Sequence, residues 1–284
     1  MRLILSCIHD VKSVTNKDHL LLLLNTETEK INWLPVEISD FKDIVGTKGI
    51  AYSGDFLVVS VITNSKKDKI LIINVVDQQC KIANCIRSSD IHSINSVFRG
   101  RFYVSSTGTN SMNQVVLSPA TNNIIRDVHH YKFDQDIHFN SLINWDRRWY
   151  ASFFGEGWRD GNFENGAIIE LSSNNRKIYS NINQPNSLFF NRNDELCFCE
   201  SGKGLFHFGQ NIVYLGGYPR GVIEDRENNG YWIALSAERE NVPLMSARLV
   251  FLNYDGLVDN EIVISNTYDI YNIVEAEGFI TKLF

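Results

Sequence analysis

Residues 136–158 read Asp136-Ile-His-Phe-Asn-Ser-Leu-Ile-Asn-Trp-Asp-Arg-Arg-Trp-Tyr-Ala-Ser-Phe-Phe-Gly-Glu-Gly-Trp158, and the opening of this stretch recurs on both sides at nearly equal distances. Asn140-Ser-Leu142 is echoed by Asn95-Ser-Val97 before it and by Asn186-Ser-Leu188 after it. A period of about 40 to 50 residues built from short strands is typical of a β-propeller, in which each unit is a four-stranded sheet. The echo therefore predicts a propeller.

Extending the alignment in both directions divides the chain into six units of about 47 residues. The aligned positions are Gly49-Ile50, Ser96-Val97, Ser141-Leu142, Ser187-Leu188, Gly221-Val222 and Ile273-Val274. A β-rich run follows each of them after a turn, and no stretch of ten or more residues keeps a helical period. The sequence thus predicts an all-β fold.

The last unit takes its strands from both ends of the chain. The predicted strands are Tyr268–Val274, Gly278–Leu283, Arg2–Ile8, Leu20–Leu24 and Ile31–Ile38. Such closure leaves neither end with a long unpaired edge. The prediction is a six-bladed β-propeller, a single domain over residues 1–284, whose last blade is closed by N- and C-terminal strands.

Composition narrows the class of protein. The 284 residues are 44% hydrophobic, enough for a large core, and 27 basic against 33 acidic residues give a net charge of −6 without a long basic run. This balance argues against binding to nucleic acid. The longest apolar run, Leu20–Leu24, is far below the roughly 18 residues of a membrane helix. This short run predicts no membrane contact. Five cysteines without a Cys-x-x-Cys pair predict reduced thiols in a cytoplasmic protein.

A set of motifs follows in a fixed order along the second half of the chain: His138-x-Asn-Ser-Leu142, Gln184-Pro-Asn-Ser-Leu188, Cys199-Glu-Ser-Gly-Lys-Gly204, Gly217-Tyr-Pro-Arg-Gly221 and Leu235-Ser-x-x-Arg-Glu240. This set, preceded by Ser105–Asn110, resembles a family of bacterial six-bladed propellers classed only as a domain of unknown function. Members usually carry His where this chain has Asn186. The resemblance implies the fold and no established reaction.

In a propeller, equivalent positions at the start of each inner strand converge on the central funnel. The polar residues at those positions are Lys48, Asp90, His92, Asn95, Asp136, His138, Asn140, Gln184, Asn186, Arg220, Asp269 and Asn272. A purely structural funnel would favour small apolar residues. The pattern therefore predicts a polar pocket on the axis.

Two histidines are the strongest candidates in this pocket for catalysis or metal binding. His92 and His138 offer either two imidazole ligands for a divalent metal ion or a general base with its partner. The alternative is that each one hydrogen-bonds a neighbouring strand end and fixes the packing of the blades. Asp90 and Asp136 lie two residues before them, on the same face of an extended chain, where they either orient the imidazoles or remain solvated.

Other side chains are candidates for holding a ligand. The amides of Asn95, Asn140 and Asn186 can form hydrogen bonds with sugar hydroxyls or bind an ion. Arg220 is predicted to bind an anionic ligand or, alternatively, to form an ion pair with Glu200 or Glu238. Glu200, at a strand end, is also a candidate acid or base.

The loop Phe153–Gly161 combines glycines with aromatic residues. It is predicted to be a lid in which Trp158 stacks on a ring of the ligand and Glu156 acts as acid or base, or else a loop that packs over the rim. The stretch Ser236–Asn241, which contains Arg239, is predicted to line the opposite side.

These residues support two functions of different class. The first is an enzyme acting on a small polar substrate, carbohydrate-like or anionic, by hydrolysis or elimination, with or without a metal ion. Its catalytic residues would be His92, His138, Glu200 and Arg220. The second is a non-catalytic module that binds a glycan or peptide in the same funnel, since a fold does not settle a function.

Overall fold

The structure is a computed structural model, and it describes residues 1–9, 20–34, 44–63, 68–76, 79–85, 87–118, 123–172, 174–236, 246–265 and 268–276. Within these ranges the regular structure is almost entirely β-strand. Two short 3-10 turns, Trp158–Asp160 and Ser201–Lys203, are the helical segments of the described residues. No helix among them has the length and apolar character needed to cross a bilayer.

The strands follow one another in short antiparallel hairpins. In chain order they are β1 Arg2–His9, β2 Leu21–Asn25, β3 Lys30–Trp33, β4 Ile44–Ser53, β5 Phe56–Thr63, β6 Lys69–Asn74, β7 Cys80–Asn84, β8 Ile91–Phe98, β9 Arg101–Ser106, β10 Ser111–Leu117, β11 Ile124–Lys132, β12 Phe139–Trp145, β13 Arg148–Phe153, β14 Gly166–Leu171, β15 Arg176–Ile182, β16 Pro185–Phe190, β17 Leu196–Glu200, β18 Leu205–Phe208, β19 Asn211–Tyr214, β20 Tyr218–Asp225, β21 Gly230–Ser236, β22 Ala247–Asn253, β23 Val258–Ser265 and β24 Tyr268–Glu275.

The strands form four four-stranded sheets and one eight-stranded sheet. The four-stranded sheets are β8 to β11, β12 to β15, β16 to β19 and β20 to β23. In the large sheet, β1 and β4 meet at a single pair, Ile8 with Gly46. Dividing the sheet there leaves the runs β24-β1-β2-β3 and β4-β5-β6-β7, which is the arrangement that the prediction of six blades requires.

The two ends of the chain share one of these runs, as predicted. β1 pairs with β24 from Leu3 opposite Glu275 to His9 opposite Tyr268. The predicted strand Gly278–Leu283 lies outside the described residues. The position beside the inner strand is instead taken by β1.

The innermost strands surround a common axis. In order, β4, β8, β12, β16, β20 and β24 each contact the next, and β24 contacts β4. At two of these contacts only a glycine fits, because a Cβ on Gly49 would lie 2.9 Å from Ser93 Cα and one on Gly221 would lie 2.7 Å from Asn272 Cα. This circular arrangement is that of a β-propeller.

One repeated hydrogen bond sets the correspondence between inner strands. It joins Gly49 N–H to Ser60 Oγ at 2.8 Å, Ser93 N–H to Ser105 Oγ at 2.8 Å, and Ser141 N–H to Ser152 Oγ at 3.1 Å. His92 therefore corresponds to Asn140, and Asp90 corresponds to His138. The predicted alignment at Ser96 was wrong by three residues, because the Asn95-Ser96 echo lies further along the same strand.

The core lies between neighbouring sheets, and strand alternation explains it. In β1, Leu3 and Leu5 pack with Trp232 and Leu249 of the preceding sheet, whereas Ile4 faces the other way, in a cluster with β5 and β6. Every one of these side chains is at most 4% exposed. Cys7, Cys85, Cys197 and Cys199 form no disulfide. Burial raises the pKa of Cys197 to about 12, so this thiol is unreactive at neutral pH.

Candidate functional site

A cavity of about 590 Å³ lies where the inner strands begin. Four charged side chains line it: Lys48, Arg159, Arg220 and Asp269. A smaller cavity of about 110 Å³ lies further along the axis, and four side chains line both cavities: His92, Asn140, Asn186 and Tyr271. We call these four residues the polar floor, because they separate the two cavities. Asn95 lines only the smaller one, so the structure does not bring it to the main site.

Hydrogen bonds tie the polar floor together. His92 Nδ1 is 3.2 Å from Asn140 Oδ1 and is also in contact with the Tyr271 hydroxyl. Asn140 Nδ2–H donates to Asn186 Oδ1, and Asn186 Nδ2–H donates to Ser201 Oγ at 2.8 Å. Both predicted substrate-binding amides thus already bind protein groups. They position the floor rather than present free amides to a ligand.

His92 is held on its other side by an ion pair. Lys48 Nζ lies 2.5 Å from Asp90 Oδ1 and 3.1 Å from His92 Nε2, and the expected contact of Asp90 with His92 is present at 3.1 Å. Burial and the positive charge of Lys48 lower the pKa of His92 to about 4. Burial alone would raise the pKa of Asp90, but the hydrogen bond from His92 and the charge of Lys48 outweigh it and hold that pKa well below its usual range. His92 is therefore neutral at pH 7, with both ring nitrogens engaged.

His138 lies in an aromatic environment above the floor. Its ring stacks on Phe154 with centroids 4.1 Å apart, meets Trp158 edge-on at 4.4 Å, and meets His92 edge-on at 4.8 Å. Both of its ring nitrogens are buried and have no hydrogen-bond partner among the described residues. Burial, followed by the nearby positive groups, lowers the pKa of His138 to about 2. It is a neutral imidazole whose hydrogen-bonding capacity is unused.

The backbone before three inner strands is left-handed. Asp90, His138 and Gln184 occupy equivalent positions with φ of 49°, 49° and 52°. This region is disfavoured for residues other than glycine, and such conformations cluster at functional sites. The strained turn places His138 and Gln184 along the wall of the main cavity.

Asp136 does not orient His138, and this interpretation from the sequence was wrong. Its carboxylate instead accepts hydrogen bonds from Trp158 Nε1 at 3.1 Å and from Arg159 Nε at 2.5 Å. The guanidinium of Arg159 lies over the Trp158 ring at 4.4 Å. With Ser93 equivalent to Ser141, Asp136 corresponds to Ser88 and not to Asp90, and its side chain lies next to the loop. It ties down the turn that carries Trp158.

Arg220 is a buried cation without a carboxylate in hydrogen-bond contact among the described residues. Its side chain is 8% exposed, and its Cζ lies 4.5 Å from the centroid of Tyr218 and 4.6 Å from that of Tyr271. The Nε and Nη1 atoms have no hydrogen-bond partner in the described part of the chain. Burial would lower its pKa, but the electrostatic effects of Tyr218, Tyr271 and Asp269 and a hydrogen bond with Tyr218 outweigh that effect and raise it, so the guanidinium stays charged.

The remaining predicted residues lie away from the cavity or outside the described residues. Glu200 is buried, with its carboxylate 2.7 Å from Lys203 Nζ and 3.1 Å from His207 Nε2, so it is neither a cavity residue nor the partner of Arg220. Glu156 is exposed on the loop and does not line the cavity. Arg239 and Glu238 fall outside the described ranges.

The two histidines do not form a metal site that fits a divalent cation. Among the described residues, no group of three or more His, Cys, Asp or Glu side chains comes together. The ammonium of Lys48 occupies the position between Asp90 and His92 that a metal ion would need. The positive charges of Lys48 and Arg220 also act on both imidazoles. This field repels a cation and attracts an anion.

Three functional side chains were missed from the sequence: Tyr218, Tyr271 and Phe154. Tyr218 and Arg220 are two apart in β20 and so share a face, a signal that was available. Tyr271 was obscured by Asp269 and Asn272, the more polar residues on either side of it. Phe154 resembles any core aromatic residue until the fold brings His138 against it.

Comparison with known proteins shows the fold. No family model matches the chain, and no curated protein matches it in sequence. Among solved structures, it is similar to a chain of a nidogen–laminin complex, with a TM-score of 0.65, 12% identity, and coverage of 96% of this chain and 97% of that one.

Two enzyme structures are also similar. A protein assigned as a gluconolactonase gives a TM-score of 0.57 with 13% identity and coverage of 80% of each chain. A virginiamycin B lyase from Staphylococcus aureus with quinupristin gives 0.53 with 11% identity, covering 80% of this chain and 72% of that one. At such identities the likeness shows the β-propeller fold, while membership of the bacterial family that the motifs resemble stays a prediction.

Proposed function

We propose that this protein is an enzyme that binds a small anionic substrate in the main cavity and acts on it by hydrolysis or elimination. The observation that carries the proposal is Arg220, a charged guanidinium that is 8% exposed and has two nitrogens without partners among the described residues. Leaving two N–H groups of a buried cation without acceptors costs about 1–3 kcal/mol for each group. An anionic ligand would offset that cost.

His138 is the residue to which the proposal assigns proton transfer. Unlike His92, it has unengaged ring nitrogens, and it lines the same cavity as Arg220. Burial is the main cause of its low pKa, and the positive charges of Lys48 and Arg220 contribute to it. An anion bound at Arg220 would weaken this field and raise the pKa of His138 toward the range of a useful base.

The other site residues would position these two groups. Lys48 and Asp90 hold His92, and His92 supports one side of the His138 ring. Tyr218 and Tyr271 fix the guanidinium of Arg220. A lactonase-type hydrolysis and a lyase-type elimination both begin with a base that removes a proton, from water or from carbon, and the two similar enzyme structures support a reaction of this kind on this fold.

An activity screen tests the proposal. Lactones and esters that carry a carboxylate or phosphate are incubated with the protein, with proton release reporting hydrolysis and ultraviolet absorbance of a new double bond reporting elimination. We expect turnover of at least one compound, a loss of about 100-fold or more in kcat in His138→Phe, and mainly a raised KM in Arg220→Gln. Turnover that is unchanged in His138→Phe contradicts the assignment of the base.

The second candidate is a non-catalytic binding module using the same cavity. One observation favours it: Glu200 and Glu156, the two carboxylates that the sequence offered as acid or base, do not line the cavity, and the pKa of His138 is lowered to about 2. Ligand binding that is lost in Arg220→Gln and kept in His138→Phe, without turnover of any compound, would identify the protein as a binder.

A further inference from the structure

We infer that the ligand of the main cavity is a small monocarboxylate with a flat apolar body, its carboxylate held by Arg220 and its body held by the aromatic side chains of the loop. This inference rests on the proposed function, because it specifies the class of anion that the cavity takes. The inferred ligand is therefore not a carbohydrate, as the sequence suggested, but a compound that is largely apolar apart from one charged end.

Arg220 is suited to a planar anion. Two tyrosine rings lie over its central carbon at 4.5 and 4.6 Å, so further contacts must come through the N–H groups at the edge of the guanidinium. A carboxylate lies in the plane of such an edge and accepts two parallel hydrogen bonds. Since the tyrosines fix the plane of the guanidinium, they also fix the plane of the bound carboxylate.

The charge around Arg220 fits a single negative charge better than two. Lys48, the other cation on this part of the wall, is already paired with Asp90 at 2.5 Å. Asp269 lines the same cavity and interacts electrostatically with Arg220. No helix of eight or more residues among the described residues offers an N-terminus to a phosphate. A phosphate dianion would therefore meet one unbalanced cation and a repelling carboxylate.

Another part of the cavity lining is aromatic. Phe154, Trp158 and Phe163 line it, and the ring of Phe163 meets that of Phe154 at 89° with centroids 6.1 Å apart. We call these three residues the aromatic recess. The amides of Asn140 and Asn186 are bonded to each other, so Asn183 and Gln184 are the lining amides left for ligand hydroxyls. An apolar face is thus better matched than a ring of hydroxyl groups.

Binding calorimetry with five probes tests the inference on the full chain. The probes are phenylacetate, phenylacetamide, acetate, phenyl phosphate and gluconate. Comparing them separates the contribution of the aromatic ring to binding from that of the negative charge. We expect phenylacetate to bind about tenfold or more tightly than each of the others, a difference of about 1.4 kcal/mol. Arg220→Gln should remove this preference over phenylacetamide. Trp158→Ala should weaken phenylacetate and leave gluconate unchanged.

Trp145→Ala is the matched control, because Trp145 stacks on Phe190 at 5.1 Å and does not line the cavity. Gluconate or phenyl phosphate binding more tightly than phenylacetate, in an Arg220-dependent way, overturns the inference and leaves the proposed function standing. Absence of binding by every anion overturns both. The comparison among probes uses the unaltered protein, so it decides the question even if a variant fails to fold.

Discussion

The hydroxyl of Tyr271 lies against Nδ1 of His92, although the two residues are 179 positions apart in the sequence. Their ring centroids are 5.7 Å apart, and the Tyr271 ring also lies against the guanidinium of Arg220. One side chain of the last inner strand thus links the anion-binding residue to the hydrogen-bonded histidine. The polar floor and Arg220 form a single connected unit.

Replacing Tyr271 with Phe tests this link. The ring and its stacking on Arg220 remain, while the hydroxyl contact with His92 is lost. We expect the free energy of unfolding to fall by about 0.5–1.5 kcal/mol, measured by urea denaturation. An unchanged urea midpoint would show that the hydroxyl contributes nothing to the floor.

Replacing Arg220 with Gln should separate stability from function. The lost stacking on two tyrosines, worth about 0.5–2 kcal/mol, is offset by the removal of a buried charge that has no described carboxylate in hydrogen-bond contact. We therefore expect thermal stability to be unchanged or higher while anion binding is lost. Arg248→Gln is the control, because Arg248 donates to Leu215 O at 3.4 Å and lies 3.6 Å from Glu261, and its loss should destabilise. A lower melting temperature for Arg220→Gln than for the control would contradict the role in ligand binding.

The two histidines should respond in opposite ways to replacement by Phe. His138 has no hydrogen bonds to lose among the described residues and packs on Phe154, so His138→Phe should unfold at an equal or higher urea concentration. His92→Phe removes one hydrogen-bond partner each from Lys48, Asp90 and Asn140 and should cost about 1–3 kcal/mol. Equal losses in both variants would argue that His138 is structural.

Stability should fall in mild acid. The pKa values of His138 and His92 are lowered to about 2 and about 4, below the unfolded value near 6.5, so their contribution is complete above pH 6.5 and is lost as the pH falls toward the folded values. Asp68, whose pKa burial raises to about 6, acts in the opposite direction between pH 4 and 6.

Comparing wild type with His138→Phe removes this opposing effect. Between pH 6.5 and 5 the wild type should lose up to about 2 kcal/mol more than the variant, measured by urea unfolding at each pH. Identical pH profiles would mean that His138 has an ordinary pKa in the folded protein.

The contacts of Asp136 should control access to the cavity. Asp136→Asn weakens the hydrogen bonds to Arg159 and Trp158. Because Asp136 and Arg159 are both exposed, the loss of stability should stay below about 1 kcal/mol. We expect faster amide hydrogen exchange in residues 154–165 and faster ligand dissociation. Asp134→Asn, two residues earlier and also exposed, is the control. Exchange that is equally fast in both variants would show that the contacts of Asp136 do not hold the loop in place.

The sequence predicted the inner strands well because each one carries a buried face and a turn. The register of β8 could not be predicted, because Asn95-Ser96 has the same sequence as the repeated motif but lies three residues further along the strand. A short sequence match does not show which backbone N–H is bonded to the serine hydroxyl of the next strand. Asp136 and Glu200 were misplaced for a related reason. Their partners, Arg159 and His207, are set by loop geometry and by pairing with the next strand, neither of which has a periodic signal.

The pairing of β1 with β24 has a consequence for biosynthesis. About 260 residues separate His9 from Tyr268, so at a translation rate of about 5–20 residues per second the first strand waits roughly 15 to 50 s for its partner. Until then its apolar residues have no inner neighbour, and the nascent chain carries an open edge able to pair with another chain. Synthesis of β24, rather than the folding of any one four-stranded sheet, is therefore the event that closes the ring.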